Sequence, residues 1–480
     1  MTRRNFIGGM MAAGAMPVMA SSRPRLTFGI ISDMHITDAA SIADTVDALR
    51  YFRSQNADAV VFAGDMIENG LLGELENFAK AWFSVFPQGK DANGKRVEFL
   101  AVLGNHDLQR WTRSWADEIK MPWSRVQAED LDKENRLRKE WRRLFGCEYE
   151  PLWKKRVNGV CFVGSSYQYR TDHQRRTAAN GDLDLPEYAQ GLKSELAQED
   201  LFFFVQHMHP RGTCSAPWTW GQDDGTATEV LARFPNAIAL SGHSHTPLND
   251  ERTLWRGSFT SVGTAALKFL VPFGGRENSE IDGAEDSGEQ LLARLRPEDG
   301  KHGMVCRVYP DRVEFERRDF ANGLSLGNDW IVPIPAKADS FADRAARSSA
   351  PEFVAGARID LRKIAAKNRK GEMVEALNVE FPNVFASGGR SRAFDFEVQL
   401  QEMDVDAIKI RRTKRVYSSG YYRAEAADEK RVSCPFALSD LPMPNGKLDP
   451  VRGRRYRFAV RACDSFGNKG NPIATDWLPA

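Results

Sequence analysis

The stretch Leu26-Thr27-Phe28-Gly29-Ile30-Ile31-Ser32-Asp33-Met34-His35 decides how this chain is read. Residues 26–31 are a short apolar run, the length of a buried strand rather than of a helix. Asp33 and His35 follow directly. On an extended segment residues i and i+2 project to the same side, so both side chains can face one cluster. A helical stretch comes next at 41–52, then apolar runs at 59–63 and 99–103. Further short runs lie at 160–163, 201–205 and 237–240, with helical stretches at 188–196 and 226–234 among them. Short buried strands alternating with helices indicate an α/β domain. Residues 259–262, 304–308 and 312–315 read as antiparallel strands near its end, with Pro310-Asp311 turning the last two.

Five chemistry-bearing segments each sit at the end of a strand of this pattern. They are Asp33-Met34-His35, Gly64-Asp65, Gly104-Asn105-His106-Asp107, His207-Met208-His209-Pro210 and Gly242-His243-Ser244-His245. The chain has 8 His, and all but His173 and His302 lie in these segments; those two fit no block and are expected to face solvent. Scattered core or surface histidines would not gather so. In open α/β sheets ligands collect at the carboxyl ends of strands, where such segments can converge. Imidazole together with carboxylate suits Zn, Fe, Mn, Ni or Co better than Ca or a structural zinc–thiolate site. A carboxylate can also bridge two ions held ~3.5–4 Å apart.

Taken in order, D-x-H, G-D, G-N-H-D, H and G-H-x-H resemble the calcineurin-like metallophosphoesterase superfamily, over residues 26 to about 320. The resemblance implies two β-sheets packed between helices, a four-layer α/β/β/α fold. It implies two divalent or trivalent transition-metal ions, with Fe, Mn or Zn foremost. By position, Asp33, His35 and His245 match ligands of the first metal, and Asp65 matches the bridging carboxylate. Asn105, His207 and His243 match ligands of the second. His106 is expected to reach the phosphate or the leaving oxygen, and Asp107 to orient the His106 ring. His209 and Arg211 are candidate substrate contacts, the first lining the pocket and the second meeting an anion; Trp218 or Trp220 would supply apolar walls.

The implied activity is phosphoester hydrolysis by two-metal hydroxide attack, on a phosphodiester or a broad range of phosphoesters. A phosphomonoesterase or nucleotidase is the alternative. A non-catalytic metal-binding module is a third reading; it predicts gaps in the ligand set, and every block is filled. Purple acid phosphatases carry Tyr three residues after the bridging Asp and lack the first-block His. This chain has Glu68 and His35 at those places, so it departs from that subgroup.

The rest of the chain frames this unit. Residues 1–20 place Arg3 and Arg4 before a short apolar stretch and end Val18-Met19-Ala20, the order of an export signal. Thr2-Arg3-Arg4-Asn5-Phe6-Ile7 resembles a twin-arginine motif, so a periplasmic or extracellular location is expected. Beyond it no run of ~18 apolar residues suggests a membrane span. The net charge of +1 gives no whole-chain attraction to nucleic acid or anionic membrane; the expected partner is a phosphoester substrate.

The expected division is a catalytic domain over 24–333, a linker over 334–370 and an all-β sandwich over 371–480. The last rests on alternation at Phe394, Phe396, Val398 and Leu400 and at Tyr456, Phe458, Val460 and Ala462. Its closing stretch resembles fibronectin type III-like domains. Two inserts interrupt the catalytic unit. The one at 108–155 carries the stripe Leu137, Trp141, Leu144 and Phe145, expected to pack on the main domain; the other spans 265–300. The 6 Cys are scattered without a C-x-x-C pair, and Cys434 with Cys463 is the candidate disulfide.

Overall fold

A computed structural model describes residues 23–108, 133–167, 200–214, 222–223, 225–271, 300–339, 341–368, 370–404, 407–418, 420–440 and 455–478. The export signal, the helix expected at 188–196, His173, Trp218 and Trp220 lie outside them.

The opening run forms β1 (Leu26–Ile31), followed by α1 (Ala39–Ser54), β2 (Ala59–Ala63), α2 (Leu72–Val85) and β3 (Glu98–Val102). Strands β1, β2 and β3 pair in parallel. A helix α3 (Lys133–Phe145) then leads to a second sheet. That sheet is built from β4 (Leu152–Val157), β5 (Val160–Ser165), β6 (Phe202–Gln206), β7 (Ala237–Ser241), β8 (Leu254–Arg256) and β9 (Thr260–Gly263), with α4 (Thr226–Leu231) before β7. Its order is β4-β5-β6-β7-β9-β8. The chain returns to the first sheet as β10 (His302–Val308), β11 (Arg312–Asp319), β12 (Leu324–Ser325) and β13 (Trp330–Pro333). There β10 pairs antiparallel with β1 and with β11, through the Pro310-Asp311 turn. The strand expected at 259–262 is β9; it pairs antiparallel with β8, as expected, but parallel with β7 on its other side. Sequence alternation marks a strand but carries no sign of its partner's direction.

Alternation decides which face of each strand meets which layer. Leu26, Phe28 and Ile30 of β1 face Phe162, Phe203 and Val205 of the second sheet in one buried core. The Phe28 ring lies 5.1 Å from Phe162 and 4.9 Å from Phe203, both edge-on. Val60 and Phe62 project the other way, onto Leu49 and Phe52 of α1 and Phe78 and Trp82 of α2. Behind the second sheet, Phe202 and Phe204 pack on Ala227 and Leu231 of α4. Four layers result, α/β/β/α, as expected. The Leu137–Trp141 stripe of α3 lies buried in the α1–α2 layer, with Leu144 and Phe145 packed against it.

Beyond β13 the expected linker is only partly a linker. It holds a short helix α5 (Phe341–Arg347), and Arg344 of that helix donates to the Glu251 carbonyl at 2.7 Å. It also holds β14 (Asp360–Lys367), which pairs antiparallel with β15 (Met373–Pro382). Most β14 side chains are exposed, so this strand shows no apolar alternation to read. The other strands are β16 (Asp395–Asp404), β17 (Ala407–Val416), β18 (Arg431–Ala437), β19 (Arg455–Cys463) and β20 (Ile473–Ala474). They form two antiparallel sheets, β14-β15-β18 and β17-β16-β19-β20. Val379, Phe381, Val398, Leu400, Phe436, Phe458 and Val460 fill the space between them. No disulfide is formed: all six cysteines are thiols, Cys434 and Cys463 buried among them. No helix among the described residues is long and apolar enough to cross a membrane.

Candidate metal centre

Each of the five segments directly follows a strand, and all five lie at carboxyl ends. Asp33 and His35 follow β1, Asp65 follows β2, and Asn105 and His106 follow β3; His207 follows β6, and His243 and His245 follow β7. The two sheets therefore present their ligand loops to one place. Backbone bonds knit the loops: Asp33 N donates to Gly64 O at 3.0 Å, His35 N to Asp65 O at 3.1 Å, and Gly242 N to His207 O at 2.9 Å.

These loops are strained in a shared way. Asp33, His35, Asp65, His243 and His245 have φ of 51°, 44°, 51°, 67° and 54°. That left-handed region is uncommon for residues with a Cβ, and strain of this kind clusters at functional sites. Close approach explains two glycines. A Cβ on Gly104 would stand 2.2 Å from Asp65 Oδ1, and one on Gly242 would stand 2.3 Å from Asp33 Oδ2.

The expected ligands meet as two groups, and His35, Asp65 and His106 make a third. In one, His245 Nε2 lies 3.1 Å from Asp33 Oδ1 and 3.2 Å from His35 Nε2. In the other, His207 Nε2 lies 3.0 Å from Asp65 Oδ2 and 3.2 Å from His243 Nδ1. Asp65 Oδ2 is also 3.9 Å from His35 Nε2, so this carboxylate faces both groups. Ligand atoms of Asp33, His35 and His245, and likewise of Asp65, His207 and His243, fall within 4.8 Å of one another. Donors bound at ~2.0–2.1 Å around one transition metal stand ~2.9–3.4 Å apart, the spacing seen here.

Tautomers are set from outside. His207 Nδ1 donates to the Ala63 carbonyl at 2.9 Å and His245 Nδ1 to the Phe269 carbonyl at 2.9 Å. Both leave a lone pair on Nε2, where a metal would be met. Asn105 supplies a further observation: its Oδ1 is buried with no hydrogen-bond partner. A buried acceptor left alone costs about 1–3 kcal/mol, and a cation would satisfy it. Nitrogen and oxygen donors, preset lone pairs and this orphaned oxygen all fit a pair of transition-metal ions.

The electrostatics agree. Burial alone would raise the carboxyls of Asp33 and Asp65. For Asp33 the surrounding His245, His207 and His35 outweigh that and hold it well below the usual carboxylate range. For Asp65, His207 does most of the lowering. Burial also opposes charge on His207, but Asp65 and Asp33 raise it to about 10. His243 is pushed down to about 3 by burial and by His207. Unlike charges thus need one another here, and a cation can take the place of the proton.

Three expectations are corrected. Asp107 does not orient His106: buried, it accepts from the backbone N–H of Ile67 at 2.9 Å and of Gly104 at 2.8 Å. It clamps the β2 and β3 loops together. Orientation comes from Glu68, whose carbonyl lies 2.8 Å and whose carboxylate lies 3.4 Å from His106 Nδ1. His106 itself is partly exposed, and its backbone N–H donates to Asp65 Oδ1 at 2.8 Å.

His209 is buried and does not line an open pocket: its ring nitrogens lie 2.7 Å from Ser241 Oγ and 2.6 Å from Ser244 Oγ. It braces the β7 loop that carries His243 and His245. Arg211 stands exposed beyond β6, its backbone N–H held by Asp223 at 2.8 Å. His302, outside every motif, is fully buried rather than solvent-facing.

Sequence reasoning missed Glu68 and Phe269. The Glu68 carboxylate lies 2.8 Å from His35 Nδ1, and the Phe269 ring lies 4.3 Å from that of His245. The position of Glu68, three residues after Asp65, was the available signal for the first. Phe269 lies in an apolar stretch with no motif, and nothing local marks it.

No curated protein matches the chain. Among solved structures, a dimetal phosphatase from Danio rerio is 12% identical with a TM-score of 0.39, covering 65% of this chain and 100% of that one. A purple acid phosphatase from seeds of yellow lupin (Lupinus luteus) is 14% identical with a TM-score of 0.39, covering 65% of this chain and 55% of that one. Residues 26–247, which hold all five candidate ligand loops, match the family model described as calcineurin-like phosphoesterase.

Proposed function

We propose that this protein is a metal-dependent phosphoester hydrolase with a binuclear centre. The observation that carries the reading is the convergence of Asp33, His35, Asp65, His207, His243 and His245 from four strand ends, with the carboxylate of Asp65 between the two groups and the unpartnered Asn105 Oδ1 buried on a fifth. Asp33, His35 and His245 would hold one ion, Asn105, His207 and His243 the other, and Asp65 both. Fe, Mn and Zn suit this donor set. Such ions supply Lewis acidity towards phosphoryl oxygens and make hydroxide available near neutral pH.

The chain's own part is to position and to move a proton. His106 is partly exposed beside the cluster, and its Nδ1 is held by Glu68, so a proton for transfer would be carried on Nε2. Burial lowers His106, but the Glu68 hydrogen bonds and the Asp65 charge outweigh it and raise the ring to about 9. A protonated His106 can donate from Nε2 to the departing oxygen. Water, not a side chain, is the nucleophile in this proposal, since the cluster consists of Asp, Asn and His.

A phosphodiester or a broad range of phosphoesters is the substrate class we favour. The support is the complete D-x-H block, with His35 present and Glu68 where purple acid phosphatases have Tyr. The basic start of the chain and Val18-Met19-Ala20 support export to the periplasm or beyond. For the C-terminal region we propose a fibronectin type III-like sandwich, supported by its sheets of three and four strands.

The test is a panel of phosphodiester and phosphomonoester substrates with Mn²⁺-, Zn²⁺- or Fe-loaded protein. Hydrolysis that His243→Ala abolishes is expected. Metal-replete protein without such activity would overturn the reading, and a marked preference for monoesters would shift it to a phosphomonoesterase.

A further inference from the structure

We infer that the C-terminal sandwich holds the His245 end of the metal centre in place, with His302 as the positioning residue between them. The inference rests on the metal-centre reading above.

The chain after His245 runs through Leu248, Asn249 and Asp250 into β8, and the sandwich grips it at three points. Leu248 N–H donates to His302 Nδ1 at 3.1 Å, and His302 Nε2 donates to the Tyr422 carbonyl at 2.7 Å. One tautomer serves both bonds, with the proton on Nε2. Asn249 Nδ2 donates to the Tyr421 carbonyl. Arg252, paired with Asp250 at 2.6 Å, lies over the Phe394 ring at 5.1 Å. Tyr421, Tyr422 and Phe394 belong to the C-terminal region, yet they are buried in one core with Leu248, Leu254 and Leu270 of the α/β domain.

The second segment that fixes His245 is gripped as well. His245 Nδ1 takes its direction from the Phe269 carbonyl, and the His245 carbonyl accepts from Val271 N at 2.9 Å. That segment is bonded through Ala266 O to His302 N at 2.9 Å. Leu270 and Tyr422 both press on Gly300, where a Cβ would stand 2.4 Å from Leu270 Cδ1 and 2.9 Å from Tyr422 Cδ2. His302 therefore ties both segments flanking His245 to the sandwich. The other ion's ligands are fixed elsewhere, His207 by Ala63 O and His243 N by Asp33 at 3.1 Å. Loosening the sandwich should weaken one metal position and spare the other. A merely structural His302 would affect both or neither.

The experiment is calorimetric Mn²⁺ titration of the full chain. Wild type should show two binding events, and His245→Ala identifies the one that depends on His245. His302→Ala should weaken that event about tenfold, the lower range for loss of an outer partner, and leave the other within about twofold. His302→Asn keeps an acceptor for Leu248 but falls short of Tyr422, so it should weaken the same event. His302→Gln can still reach the Tyr422 carbonyl and should restore much of the affinity. Equal weakening of both events, or wild-type behaviour of His302→Asn, would overturn the inference.

A measurement on wild type alone guards against variants that fail to fold. Coupling is reciprocal, so Mn²⁺ should slow amide exchange at Leu248 and at 421–424 together. Unchanged exchange at 421–424 would also overturn it. Wild type that binds two Mn²⁺ without hydrolysing phosphoesters would sink the proposed function and leave this test intact.

Discussion

The carboxylate of Glu68 lies 2.8 Å from Nδ1 of His35. The same residue holds His106 through its carbonyl, so a candidate metal ligand and the candidate acid share one anchor. The His106 and His35 rings beside it hold the Glu68 carboxyl far below the usual carboxylate range, so it is charged. Its charge favours the protonated His106 ring, which stands at about 9 without metals; two bound cations oppose that. Glu68→Gln removes the charge and keeps the shape. The expected result is a fall in the pKa of the alkaline limb of the kcat/KM profile, so activity is lost at lower pH than in wild type. His106→Ala should cost about 100-fold in kcat, the low end for a lost general acid. An alkaline limb that Glu68→Gln does not move would remove Glu68 from this role.

Asn105 should show opposite effects with and without metal. Its orphaned Oδ1 is a cost in the metal-free protein, so Asn105→Ala should leave that form equally stable or slightly more stable. Metal at 100 times its Kd stabilises by about 2.7 kcal/mol per site. Asn105→Ala should therefore shrink the rise in Tm that Mn²⁺ produces. The comparison is thermal unfolding with Mn²⁺ and with chelator. An undiminished rise in the variant would exclude Asn105 as a ligand.

Most of the candidate cluster could be read because its residues sit where strands stop. Asp33 and His35 follow an apolar run that the chain must bury, and the run fixes which end they occupy. The errors share one cause: partners chosen by tertiary geometry leave no local pattern. Asp107 stands beside His106 in sequence, but the backbone of Gly104 and Ile67 takes its carboxylate. His209 is two residues from His207 on the same loop, and its ring nitrogens face Ser241 at the end of β7 and Ser244 in the loop after it. His302 looked solvent-exposed because it lies in no motif, and its partners are 54 and 120 residues away. β14 escaped because an edge strand with most side chains in water shows no alternation. Parallel pairing of β9 with β7 escaped because strand direction is settled by the crossover, not by composition.

Gly104 should be indispensable for metal binding, for steric reasons alone. Its Cα sits so close to the Asp65 carboxylate that a Cβ would overlap Oδ1, at 2.2 Å. Gly104→Ala must displace Asp65, and overpacking of this kind costs about 1–3 kcal/mol. Metal affinity should fall by at least about tenfold, as displaced ligands and outer partners do. Gly73 is the control: it is exposed near the start of α2, with nothing within 4 Å of its Cβ position. Gly73→Ala should leave metal affinity unchanged and stabilise by about 0.5–1 kcal/mol. Equal metal affinity for Gly104→Ala and wild type would show that the carboxylate can move without loss.

His302 should make the metal-free protein sensitive to mild acid. Burial pushes the ring down to about 4 from an ordinary 6.5, although Asp319 and the Tyr422 carbonyl favour its charge. Arg317, on the neighbouring strand, opposes the charge further. The unfolded chain takes up a proton near 6.5 and the folded one only near 4, so between those values the unfolded state binds more protons. The contribution of a neutral His302 is thus fully present above pH 6.5 and is lost as pH falls towards 4. Its size is about 3 kcal/mol at most, from about 1.36 kcal/mol per pKa unit. His209 is depressed to about 4 by burial in the same way and adds a slope of the same sign. Comparison with His302→Gln isolates one ring, because every other group is common to both proteins. Urea unfolding at steps from pH 7 to pH 4 should show wild type losing more stability than the variant, with the difference confined to that window. Parallel curves would mean that the His302 ring takes up its proton without leaving its place between Leu248 and Tyr422.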